Sequence, residues 1–158
     1  VKKYWIFLLL FVLAGCSSSD NDDAKQFTEK QAVPFEIVHY EEKIAPVYES
    51  LVPYISYAGT DGQLKELKSR FQIDGFTVNM DEYTALFLVT YSGSCGIAVD
   101  GVYNDAGKLA VQLMEPLGTD CEKEGVPHTF VLQVPKQQFE KVQLYNGNII
   151  KSSTEVKN

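Results

Sequence analysis

The residues of this chain best suited to chemistry are three cysteines and two histidines, and their spacing decides which chemistry is open to them. A zinc site would have to draw on Cys95, Cys121, His128 and His39. Such sites usually bring two ligands close in sequence, because one turn then fixes half of the tetrahedron. No pair here has that spacing, so no metal is expected. A cysteine nucleophile with His128 as its base is conceivable, and Gly93-Ser94-Cys95-Gly96 has the look of a nucleophile elbow. The second glycine of a G-x-C-x-G turn would fall on Ile97, however. Ser94 is no better placed, with the same two histidines to choose from. A serine or cysteine hydrolase is therefore the third of three functional readings. The Gly93–Gly96 stretch also lacks the Lys-Ser/Thr that would make it a phosphate loop. Asp20-Asn21-Asp22-Asp23 lacks the glycine and the distal glutamate of a calcium-binding EF-hand loop. No cofactor is implied.

One of the three cysteines belongs to the N-terminus. Val1-Lys2-Lys3 is a short basic start, Tyr4 to Leu13 is almost entirely apolar, and Leu13-Ala14-Gly15-Cys16 closes the run. Positive charge held on the cytoplasmic side while an apolar stretch enters the translocon is the layout of a secretory signal. The stretch falls short of the roughly 20 apolar residues that a transmembrane helix wants. Leu-Ala-Gly-Cys resembles the lipobox of bacterial lipoproteins. That resemblance implies diacylglyceryl transfer to the Cys16 thiol, cleavage before it, and anchoring by palmitate-type acyl chains. Residues 1–15 are then the signal peptide and Cys16 the lipidated residue. Ser17-Ser18-Ser19-Asp20-Asn21-Asp22-Asp23 is small, polar and acidic, and residues 16–32 read as a flexible tether. Two acyl chains make such anchoring stable where one is marginal. The expected location is the extracytoplasmic face of a bacterial membrane.

Removing the signal leaves 158 − 15 = 143 residues, enough for one domain. Lys2 and Lys3 leave with it, so 12 Lys+Arg stand against 21 Asp+Glu, a net −9. An acidic surface of that size disfavours nucleic acid and anionic headgroups as partners. Membrane contact is then expected from the lipid and not from a basic face. Cys95 and Cys121 remain as an even pair in an exported chain, which reads as a structural disulfide.

The elements that would position these residues are mostly strands. Pro34 to Tyr40 reads as a first strand. Pro46 and Pro53 break up the stretch from Glu41 to Tyr57, which with Tyr40 carries four tyrosines: Tyr40, Tyr48, Tyr54 and Tyr57. With Glu41, Glu42 and Glu49 nearby, they could stack on sugars or hold a protein partner, or simply plug the flank of a small sheet. Thr60 to Phe71 reads as the one helix, with Leu64, Leu67 and Phe71 on one stripe and a Thr60/Gln63 capping box. Phe76-Thr77-Val78 is a short strand. Thr84 to Tyr91 is so continuously apolar that it predicts a central strand covered on both faces. Ile97–Tyr103 and Leu109–Met114 flank a polar turn over Asn104-Asp105-Ala106-Gly107, a hairpin signal. Thr129 to Val134 and Val142 to Tyr145 follow, with Asn146-Gly147 as a turn. Lys151 to Asn158 reads as a disordered tail.

Folded about that turn, paired residues sum to about 211, which sets Cys95 opposite a position near 116 and brings Cys121 across the open end of the hairpin. The bridge would close a loop of about 26 residues, worth about 3 kcal/mol in the chain-entropy account. That is a sizeable share of a typical margin of about 5–15 kcal/mol.

The segment from Gly75 to Lys136 resembles the C-terminal domain of accessory subunits of bacterial protease complexes, the PrcB-like family. The likeness rests on the order of features: the apolar strand, the turn Tyr91-Ser92-Gly93, the branched residues Ile97, Val99 and Val102, then Leu109 and Val111. It ends on Pro127-His128-Thr129-Phe130-Val131-Leu132-Gln133-Val134-Pro135-Lys136, a P-x-x-F-V-x-x-V-P-K pattern. The resemblance implies a small sandwich-like β domain and supplies no catalytic residues.

The expectation is one mainly β domain over residues 33–150, a β-sandwich or small barrel-like antiparallel sheet with one short helix. Its function is expected to be non-enzymatic: a binding or accessory domain for another envelope protein. The alternative is capture of a cell-wall glycan through the tyrosine-rich segment.

Overall fold

A computed structural model describes residues 26–42, 52–116, 120–122 and 125–157. Among these residues the fold is mainly β, with two four-stranded sheets and one short α-helix. The first sheet has the order β1-β6-β3-β2, from β1 (Glu36–Glu42), β6 (Val126–Pro135), β3 (Tyr83–Ser92) and β2 (Tyr54–Ala58). The second has the order β4-β5-β7-β8, from β4 (Ala98–Asp105), β5 (Lys108–Met114), β7 (Lys141–Asn146) and β8 (Ile149–Glu155). All pairings are antiparallel except β5 with β7, which is parallel.

The near-continuous apolar run of β3 is explained by what covers it. Leu86 and Leu88 face the second sheet, in a core with Ile55, Phe130, Leu132, Val102, Leu109, Val111, Leu113, Val142 and Leu144. Ala85, Phe87 and Val89 face the other way, against Leu64, Leu67 and Phe71 of the helix α1 (Asp61–Phe71) and the loop residues Ile73, Phe76, Val78 and Met80. A strand buried on both faces cannot alternate, and β3 does not.

α1 follows its sequence signals closely. Thr60 Oγ1 accepts from the Gln63 N–H at 3.3 Å, which satisfies one of the four free donors of the first turn. The Gln63 side chain reaches the N–H of Gly59 at 2.8 Å, one residue before the expected reciprocal partner. Gln72 ends the helix in the left-handed conformation, with its N–H turned back to Lys68 and Ser69. Phe76-Thr77-Val78, expected as a strand, belongs to no sheet. Its buried Phe76 and Val78 cap the outer face, held by a hydrogen bond from Lys68 Nζ to the Phe76 carbonyl.

The sandwich is closed along both sides, so it approaches a flattened barrel. On one side Ser152 Oγ accepts from Ile55 N at 3.2 Å and Thr154 Oγ1 donates to Ile55 O at 2.6 Å, tying β8 to β2. On the other, Val33 N donates to Val102 O at 2.8 Å and Ala32 bridges Tyr103, so the chain crosses from β4 into β1.

Four further expectations are corrected. The tail over 151–158 is largely strand β8. Ser152 and Thr154 face the adjoining edge and bond it with their hydroxyls. The tether does not reach residue 32: Phe27 stacks on Tyr103 at 4.6 Å and sits edge-on to Tyr145 at 5.6 Å. The β4–β5 turn is two residues, with Ala106 (φ 51) and Gly107 (φ 83) both left-handed between Asp105 and Lys108. That is the turn whose twist matches the flanking strands, and it moves the pairing by two positions from the four-residue reading. Finally, the first strand starts at Glu36, and its register slips between Ile37 and His39.

Candidate functional site

Three polar side chains meet on the inner face of the first sheet, at the end from which β3 leaves. β6 lies between β1 and β3, so His128 on β6 looks towards both neighbours. Tyr40 on β1 is opposite Phe130, and Ser92 on β3 is opposite Val126. The pleat puts positions 126, 128 and 130 on one face, and Tyr40 and Ser92 share it. His128 Nε2 is 2.7 Å from Ser92 Oγ, and Nδ1 is 3.0 Å from Tyr40 Oη. The Tyr40 ring also packs on Phe130 at 4.7 Å. His128 is buried, with 2% of its surface exposed, and Ser92 is buried beside it.

The Ser92 hydroxyl also lies 2.8 Å from the Gly93 carbonyl, so its single proton has two acceptors in reach. With that proton on the carbonyl, the imidazole donates from Nε2 and accepts from Tyr40 at Nδ1; with the proton given to His128, the roles reverse. Burial lowers the His128 pKa, against a smaller opposing pull from Glu42. Desolvation raises that of Tyr40, and Glu42 adds to it. The neutral forms of both are favoured. A serine activated for attack takes the second arrangement, giving its proton to the histidine. Two N–H groups of the following loop are engaged: Ser94 N by Glu122 O at 2.9 Å and Gly96 N by Gly93 O at 3.1 Å. In either arrangement the chain of hydroxyl, imidazole and hydroxyl ties three strands together.

Next to it lies the disulfide. Cys95 and Cys121 are bonded with their Cα atoms 5.3 Å apart. Around the bridge, Ser94 and Glu122 exchange two hydrogen bonds, Ser94 N to Glu122 O and Glu122 N to Ser94 Oγ, each 2.9 Å. Gly93 is required by this approach: a Cβ there would lie 2.3 Å from the Glu122 carbonyl oxygen. Ser94, the serine singled out in the sequence, thus accepts a backbone N–H. The serine that does face a histidine is Ser92. Its pairing with His128 spans 36 residues and depends on the β3–β6 register, so no local pattern announces it.

The four metal candidates are not assembled. His39 lies on the opposite face of the sheet from His128, against Phe76 at 5.6 Å, with Nε2 3.1 Å from Glu41 Oε1. Among the described residues no three His, Cys, Asp or Glu side chains gather.

The tyrosines are not one surface. Tyr40 is on one edge strand and Tyr54 and Tyr57 on the other, with β6 and β3 between, about 14 Å across at the usual strand spacing. Tyr54 faces outward, against Phe71 and under the Arg70 guanidinium. Tyr57 faces inward, edge-on to Phe139 at 5.4 Å. Tyr48 lies outside the described residues. Tyr57 does border an open groove of about 700 Å³, with Phe139, Lys136, Gln137, Gln138 and Glu140.

No protein-family model matches this chain, and neither a curated protein nor a solved structure gives a match.

Proposed function

We propose that this chain is a lipoprotein of the bacterial envelope, held at the membrane through Cys16, whose β-sandwich is a non-enzymatic binding or accessory domain for another envelope protein. The observation that carries the reading is the partition of the cysteines. Cys95 and Cys121 close on each other, which leaves Cys16 as the one cysteine outside that bridge, in Leu13-Ala14-Gly15-Cys16. A bridged pair belongs to an oxidising compartment, which is where a lipobox sends its protein. The accessory role draws on the likeness of Gly75–Lys136 to protease-complex accessory subunits.

The test is palmitate labelling in cells, combined with cross-linking of neighbours in the envelope. Label on the wild-type chain, absent in Cys16→Ser, together with a recurrent cross-linked protein, is the expected result. Unlabelled wild-type chain sinks the anchor. Turnover of generic esters or peptides that disappears in Ser92→Ala sinks the non-enzymatic reading.

A second reading, capture of a cell-wall glycan, is favoured by the Tyr57 groove alone, where an aromatic ring adjoins amide and charged side chains. Retention on peptidoglycan that is lost in Tyr57→Ala would favour it over the accessory role.

A further inference from the structure

The outer face of the second sheet, away from the core, carries an apolar strip that the fold itself does not use. Met114 is 52% exposed at the end of β5, and Ile149 and Ile150 are 60% and 47% exposed where β8 begins. Ile150 is paired with Tyr145, and Gln112 is the neighbour of Tyr145 on the other side. Paired residues share a face, so Ile150, Tyr145, Gln112 and, two residues further along, Met114 lie on one face. Ile149 stands beside them at the tip of the β7–β8 hairpin, opposite Asn146.

Two further observations say what this tip meets. The first is charge. In a chain that is −9 without its signal, Val142 to Thr154 holds a single charged residue, Lys151. The adjacent acid, Glu115, has its carboxylate taken by Asn146 Nδ2 at 2.7 Å. The second is where the anchor segment joins the fold. Phe27 lies on this same face, stacked on Tyr103 and edge-on to Tyr145, the residue that pairs with Ile150. Cys16 is eleven positions upstream of Phe27, a span of at most about 40 Å when fully extended. A lipid on Cys16 would thus enter the fold on this face and hold it within reach of the bilayer at high effective concentration.

We propose that the β7–β8 hairpin tip, with Ile149, Ile150 and Met114, rests in the interfacial layer of the membrane that holds the lipid. The aliphatic side chains would enter the headgroup–acyl boundary, and Lys151 would stay at headgroup level. Three side chains are too few to bind a bilayer by themselves. Their effect is to orient a domain that the lipid already holds, with the end of the sheet that carries Met114 and the start of β4 turned to the membrane. This proposal rests on the lipoprotein reading.

The test uses the full lipidated chain in vesicles of phosphatidylethanolamine and phosphatidylglycerol. An environment-sensitive fluorophore is placed on Ile150→Cys, on Asn148→Cys as a second tip position, and on Lys108→Cys as a control. Lys108 is exposed at the far end of β5, about 20 Å from Met114. Blue-shifted emission at 148 and 150, quenched by nitroxide-bearing lipids, with no change at 108, is expected. Loss of that quenching at 148 in the Ile149→Lys, Ile150→Lys double variant, with flotation retained, would support it further. If the chain floats with the vesicles but neither tip label is quenched, the contact is wrong and the anchor stands. If the chain does not float and Cys16 carries no lipid by mass, the lipoprotein reading falls and takes this proposal with it. A blue shift that grows with protein concentration in the absence of vesicles would assign the strip to a second copy of the chain, and overturn the membrane contact.

Discussion

Ser92 Oγ and His128 Nε2 are 2.7 Å apart, and the other ring nitrogen, Nδ1, is 3.0 Å from Tyr40 Oη. The pair links strands that are distant in sequence. The two residues join β3 to β6, and Tyr40 extends the link to β1. A buried imidazole with both nitrogens satisfied is most stable while neutral. Protonation would place a charge in a dry site and make both ring nitrogens donors, so that Ser92 and Tyr40 must both accept.

The first prediction concerns pH. Burial places the folded-state pKa of His128 below its ordinary value of 6.5. Below pH 6.5 the unfolded chain therefore binds a proton that the folded chain resists. The contribution of His128 is complete above that value and is lost as pH falls through the folded pKa. Urea unfolding between pH 7.5 and 5 should show falling stability, with a shallower fall in His128→Gln. Equal slopes for the two proteins would refute the assignment.

Shortening the same residue tests the link itself. His128→Ala should cost about 1–3 kcal/mol beyond the packing loss, since Ser92 is left buried with one partner fewer. Tyr40→Phe removes only the outer bond and should cost about 1 kcal/mol. Denaturant midpoints measure both, and a Tyr40→Phe effect equal to that of His128→Ala would contradict this ranking.

The disulfide should be worth about 2–4 kcal/mol. The paired substitution Cys95→Ser, Cys121→Ser should lower stability by that amount while keeping the β circular-dichroism signature, because the sandwich core does not include the bridge. Thiol labelling of the unreduced wild-type domain should find both cysteines unreactive; rapid labelling would mean that the bridge is not formed.

Gly93 should resist even the smallest substitution. A Cβ 2.3 Å from Glu122 O forces the two loops apart, so Gly93→Ala should destabilise by more than about 1 kcal/mol. It should also raise the reactivity of the bridge to mild reductant. Unchanged stability would show that the loop can yield there.

A stabilising change is available at the β4–β5 turn. Ala106 sits at φ 51, a region costly for a residue with a Cβ and open to glycine. Ala106→Gly, which supplies a preferred residue for a two-residue hairpin turn, should raise stability by about 0.5–1 kcal/mol. A lower unfolding midpoint would argue against a left-handed residue at this position.

How much was legible beforehand differs by element. The helix was, because Leu64, Leu67 and Phe71 recur at the helical period and Thr60 caps it through a contact three residues away. The burial of β3 on both faces was, because its composition leaves no polar side to expose. The disulfide was, because cysteine parity and the length of the hairpin both led to it. These are local or compositional signals, and the chain carries them whatever it packs against.

The rest had to wait for the sheets. Ser92 meets His128 only through the register of β3 on β6. The tyrosines are divided by a strand order that places β1 and β2 on opposite edges, although they are adjacent in sequence. The polar strand β8 is held by hydroxyls that reach across to Ile55. A β-rich chain with one helix and one bridge could be read from the residues alone, since hydrophobic period and cysteine count are properties of the chain. Which side chains became neighbours was settled by long-range pairing, because a strand's partner is chosen by the complementarity of whole faces and not by any residue near it in sequence.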